Sequence, residues 1–130
     1  MRVLATAVLM LGLALGGSAN QVNKRIRFER GATSATITGN WHPDPKANES
    51  FDRYILGASK GQKVTVTFRA TAPGMVYCWQ KDYENGELAS SSGKEGSCSF
   101  KLPANGDFFV DVNPDGDGKA FDYTLTFSIL

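Results

Sequence analysis

Phe121-Asp122-Tyr123-Thr124-Leu125-Thr126-Phe127-Ser128-Ile129 alternates apolar and polar residues without a break. Successive side chains of an extended strand point to opposite faces, so this stretch puts Phe121, Tyr123, Leu125, Phe127 and Ile129 on one buried face. Working outward, the same period of two recurs in Arg25-Ile26-Arg27-Phe28, Ala35-Thr36-Ile37-Thr38, Tyr54-Ile55-Leu56, Val64-Thr65-Val66-Thr67-Phe68 and Phe108 to Val112. Met75-Val76-Tyr77-Cys78-Trp79 and Cys98-Ser99-Phe100-Lys101-Leu102 add two more candidates. β-branched and aromatic residues dominate these runs, and outside the first residues no window offers apolar spacings of three and four over two turns. The expectation is an all-β fold, an antiparallel β-sandwich of about eight strands. Gly31, Gly39, Gly61, Gly74, Gly106 and Gly116 fall between the runs, where turns form. Two connections, Asn40 to Ser50 and Gln80 to Ser97, are longer.

Met1-Arg2, the apolar run Val3 to Leu15 and the small residues Gly16-Gly17-Ser18-Ala19 read as a signal peptide over 1–19. A membrane-spanning helix needs roughly 18 or more consecutive apolar residues, which this run does not reach, so no membrane anchor is expected. Residues 20–130 then form a single exported β-sandwich domain, large enough for one core and too small for a second domain with its own catalytic cleft. Cys78 and Cys98 both lie in that domain and would meet an oxidising compartment, so a disulfide between them is expected, with Trp79 packed against it.

Without Arg2, thirteen basic side chains balance thirteen acidic ones. A neutral domain has no cationic excess with which to release counterions from a phosphate backbone, so nucleic acid is not an expected partner. The charges are unevenly spread: nine Lys/Arg and four Asp/Glu fall in 20–69, and the numbers are reversed from Ala70 onward. An acidic rim including Asp111, Asp115 and Asp117 would speed encounter with a basic partner.

No nucleophile and base stand together. His42 is the only histidine and sits in a Trp-His-Pro-Asp turn, so an enzyme is not expected. Asn113-Pro114-Asp115-Gly116-Asp117-Gly118 resembles the start of a calcium loop, but Thr124 stands where the bidentate Glu belongs, and the flanking strands favour a hairpin turn. Neither metal nor cofactor is expected. Trp41, in a polar loop, is the candidate for an exposed aromatic contact.

Phe28-Glu29-Arg30-Gly31-Ala32-Thr33-Ser34-Ala35, then Gly39, Tyr54 to Phe68 with Gly61-Gln62, Leu102-Pro103-Ala104-Asn105-Gly106-Asp107-Phe108 and the closing Tyr123 to Ile129 together resemble the periplasmic inhibitors of g-type and i-type lysozymes, and the order and spacing of these pieces carry the likeness. The resemblance implies a periplasmic, non-enzymatic binding protein whose partner is a lysozyme or another cell-wall hydrolase. It also implies a mechanism: in that family a Ser-Gly-x-Tyr loop is inserted into the lysozyme cleft. The matching residues here are Asn105, Gly106, Asp107 and Phe108, with Trp41, Asp111, Asp115 and Asp117 as secondary contacts. Both hydroxyl-bearing residues of that motif are replaced. Asn105 keeps an amide donor for a carboxylate and Gly106 keeps the turn narrow, whereas Asp107 would repel a catalytic acid. The alternatives are a carbohydrate- or cell-wall-binding module using Trp41, and an immunity protein that plugs a toxin.

Overall fold

The structure, a computed structural model, describes residues 7–8, 22–43, 50–81, 86–116 and 119–130. The remainder of the leader and Asp117 lie outside the described residues. Eight strands follow one another: β1 (Ala7–Val8), β2 (Asn23–Arg25), β3 (Ser34–Trp41), β4 (Asp52–Ala58), β5 (Lys63–Trp79), β6 (Glu87–Lys101), β7 (Gly106–Pro114) and β8 (Phe121–Ile129). The fold is all-β, as the period of two requires. The expected pair of stacked antiparallel sheets is replaced by one hydrogen-bonded sheet, ordered β1-β3-β8-β5-β7-β4-β2, with β6 beside β5. It is mixed, because β1 with β3 and β2 with β4 are parallel pairs.

The reason for this departure lies in β5. Val64 to Ala70 pairs with β8, Gly74 to Trp79 pairs with β7, and β6 follows β5 along both parts, with a register shift between Arg69 and Gly74. The sheet therefore forks at the shift. One branch carries β8 and β3, the other β7, β4 and β2, and the sheet curls until the branches face each other. The Tyr54 ring on β4 lies 6.2 Å from that of Phe127 on β8, and the two strands are not neighbours in the sheet. Ile37, Leu125, Phe127, Val64 and Val66 from one branch meet Leu56, Phe108, Val110 and Val112 from the other in a single buried core. Because β7 and β8 belong to different branches, the Asp115-Gly116 segment is a crossing between them and not the expected hairpin turn. At Gly39 the backbone runs against the Tyr123 ring, where an added Cβ would stand 2.5 Å from it.

Two expectations change here. Trp41 is not exposed: it closes β3, is 2% accessible, stacks on Phe121 at 5.5 Å and donates its indole N–H to the Ser50 carbonyl. Its register partner is Phe121, which turns it inward with the rest of the β8 apolar face. Cys78 and Cys98 are buried thiols 4.0 Å apart and unbonded, brought together from the two arms of the bent β5–β6 ribbon. Trp79, next to the inward Cys78, points to the opposite face and packs on Phe109, so it does not cover the cysteine pair.

Candidate functional site

The turn between β6 and β7 is fixed from three sides. Leu102 is buried, its N–H donates to the Gln62 carbonyl and its carbonyl accepts from Gly61 N–H, so the turn is bound to the β4–β5 connection. Asn105 Oδ1 accepts the Lys60 N–H at 2.7 Å. Gln80, beyond β5, donates Nε2 to the carbonyls of Ala104 (3.0 Å) and Asp107 (3.2 Å). The two polar stretches around Lys60-Gly61-Gln62 and Asn105-Gly106, far apart in sequence, are thus one structural unit. Gly106 sits at φ +127 in open space, where an L side chain is strained, so the tip keeps a narrow backbone.

Asp107 is exposed and held by Arg25 of β2, Nη2 to Oδ2 at 2.6 Å and Nη1 to Oδ1 at 3.1 Å. The bond to Arg25 holds the Asp107 carboxyl below the ordinary carboxylate range. Its cross-strand neighbour is Gly57, which leaves the space that the ion pair fills. Arg25 therefore belongs to the site and offsets the negative charge that Asp107 would show to an acidic cleft. Sequence reading missed it, because no local signal ties residues 82 positions apart.

Phe108 does not belong to the exposed set. It is fully buried, edge-on to Phe100 at 5.7 Å, because the alternation that exposes Asp107 turns the next residue into the core. Asp111 is also withdrawn from the expected acidic rim. It is 6% accessible, takes Arg53 Nε and Nη2 at 2.8 and 3.0 Å, and accepts the Trp79 indole N–H at 3.0 Å. Arg53 in turn lies about 5 Å from the ring centres of Phe51, Trp79 and Phe109, distances at which cation–π attraction operates. Of the three rim acids, Asp115 alone is both described and exposed. Among the described residues there is no group of His, Cys, Asp and Glu that would hold a metal ion, and no helix long and apolar enough to cross a membrane. His42 Nδ1 lies 2.8 Å from Asn40 Oδ1.

A buried polar chain joins the two branches. Asp52 of β4, fully buried, accepts the Tyr123 hydroxyl at 2.6 Å and the Val22 N–H at 3.1 Å, and Tyr123 and Tyr54 share a 2.6 Å contact between hydroxyls. Burial pushes the Asp52 carboxyl up, and the Tyr123 and Val22 bonds offset part of that. Above the ordinary Asp value of about 3.9, the folded chain keeps a proton that the unfolded chain has lost, so this group's contribution falls as pH rises through its folded pKa. Asp52→Asn is expected to remove that fall. In thermal melts over a pH series, the variant should gain on the wild type as pH rises through the window. Parallel Tm profiles would mean that Asp52 is not the source.

No family model matches the sequence, and no curated protein does. Among solved structures, the periplasmic inhibitor of g-type lysozyme PliG from Aeromonas hydrophila superposes with a TM-score of 0.70, at 19% identity, over 97% of this chain and all of the other. The fold is that of the periplasmic lysozyme inhibitors. PliG from Salmonella Typhimurium follows at TM-score 0.62 and 20% identity, over 87% of this chain and all of that one. The pre-peptidase C-terminal domain of a Bacillus anthracis collagenase matches at TM-score 0.56 and 12% identity, over 88% of this chain and 100% of that one, so the scaffold also occurs as a domain of a collagenase.

Proposed function

We propose that this chain is an exported, periplasmic lysozyme inhibitor, a divergent relative of the g-type inhibitors, that acts by occlusion and not by catalysis. The observation that carries this reading is the likeness in fold to those inhibitors over nearly the whole chain. The Pro103–Asp107 turn is the plug. Its backbone is already fastened by Lys60, Gln62 and Gln80, so little conformational entropy remains to be lost on insertion, and rigid elements retain more of their contact energy as affinity. Asn105 accepts from Lys60 through Oδ1, which leaves Nδ2 to donate to a carboxylate in the cleft. Gly106 allows close approach, and the Arg25–Asp107 pair presents a guanidinium beside the tip. Residues 1–19 are removed on export, so the mature protein begins at Asn20.

Residual muramidase activity of goose-type, invertebrate-type and chicken-type lysozymes, titrated with the mature protein, tests the reading. Stoichiometric inhibition of the goose-type enzyme is expected. It should weaken at least tenfold, or by about 1.4 kcal/mol, in an Asn105→Ala, Gly106→Val variant whose circular dichroism is unchanged. Full activity of all three enzymes at micromolar folded protein would reject a lysozyme as the target.

A further inference from the structure

The cleft beside the turn carries chemistry that occlusion does not use. It is lined by Gln80, Lys81, Ala104, Asn105, Gly106, Asp107 and Phe109, and encloses about 310 Å³. Phe109 is held in place by Trp79, whose ring centre is 4.6 Å away, and by the Arg53 guanidinium at 5.1 Å. The polar groups of that support are satisfied among themselves through Asp111, so it is a rigid aromatic wall. Gln80 is 5% accessible, and its side-chain Nε2 donates to two carbonyls, those of Ala104 and Asp107. That fixes the orientation of its amide and leaves Oε1 buried with no partner. A buried acceptor without a donor is costly and calls for an explanation at the site where it occurs.

We propose that this cleft is a subsite for a neutral pyranose oligosaccharide. An aromatic side chain offers an apolar face to the C–H side of a sugar ring, while the ring's hydroxyl or acetamido groups need donors and acceptors close together at the rim. Phe109 supplies the first. Lys81 donates, Asn105 and Asp107 add polar atoms at the mouth, and Gln80, which also lines the cleft, keeps its unpaired Oε1 buried behind them. Arg25 already offsets the Asp107 charge, so apart from Lys81 the polar contacts of the lining are those of amides, which an uncharged sugar can meet. The expected use of Trp41 as a sugar platform is closed by its burial; the platform that the fold exposes is instead the half-buried pair Phe109 and Trp79.

The mature protein, with no lysozyme present, is titrated with N,N′,N″-triacetylchitotriose and separately with cellotriose, followed by calorimetry and tryptophan fluorescence, since Trp79 adjoins the site and Trp41 is buried. Saturable binding of either sugar is expected, and the preferred one tells whether acetamido or plain hydroxyl groups are recognised. Lys81→Ala, at an exposed position, and Phe109→Leu, which keeps an apolar side chain, should each weaken binding several-fold while leaving the fold intact. No binding of either sugar at millimolar concentration would overturn the proposal, as would binding that both variants leave unchanged. Neither result depends on whether the turn inhibits a lysozyme.

Discussion

Replacing Phe108 by alanine is expected to lower the stability of the domain by about 3–5 kcal/mol, the range for a large aromatic removed from a packed core. Phe108 has no accessible surface, pairs across the sheet with Leu56 and meets Phe100 edge-on. The lost contacts are therefore replaced by a cavity and not by water. Set against the 5–15 kcal/mol that typically holds a domain folded, this is about a fifth or more of the total. Urea unfolding should show a lower midpoint at unchanged slope. Asn105→Ala, three residues before the strand turns inward at Phe108, removes one exposed hydrogen bond and is expected to cost about 1 kcal/mol or less. The contrast matters for function, because a Phe108 variant would lose any activity by unfolding. A cost below about 1 kcal/mol at Phe108 would show that its side chain is not in the core.

Oxidation of Cys78 and Cys98 to a disulfide is expected to raise stability by about 3 kcal/mol, the chain-entropy value for a closed loop of this size. The thiols are unbonded in the structure but already 4.0 Å apart, and the link would join the two arms of the β5–β6 ribbon on either side of the fork. The hydrogen bond with Cys98, together with burial, holds the Cys78 thiol up, and the same bond draws Cys98 down; forming the S–S bond releases both thiol protons and passes two electrons to an external oxidant. Both are almost inaccessible once folded. The bond should therefore form quickly in a chain refolding under an oxidant and slowly in one folded under reductant. Mass spectrometry for the loss of two hydrogens, with melts taken with and without reductant, checks this. Two free thiols in protein refolded under an oxidant would refute it.

The strands with strict alternation were legible because burial on one face writes a period of two into the sequence, as in 121–129 and 108–112. Two features were not legible. Val64 to Phe68 and Met75 to Trp79 read as separate strands, since Arg69 to Gly74 breaks the pattern; the break is the fork, where one strand changes partners without ending. The stretch containing Ser90-Ser91-Ser92-Gly93 read as a loop, yet it is the middle of β6. Serine gives weak strand signals, but pairing with β5 satisfies the backbone regardless of side chain. The candidate turn itself was located correctly between β6 and β7. Its inner boundary, the burial of Asp111 and Trp41 and the role of Arg25 were not, because exposure depends on partners tens of residues away. Asp111 is polar by sequence and buried only because Arg53 and Trp79 cover it.

The position of β8 has a consequence for how the protein comes into being. This strand follows every other one in the chain, yet it lies inside the sheet, between β3 and β5. Until the ribosome has added it, β3 has no neighbour through which to join the rest, and the core between the branches lacks Phe121, Tyr123, Leu125 and Phe127. Non-local pairings of this kind form late, after the entropy of closing long loops has been met. The core between the branches can therefore close only after β8 has been made.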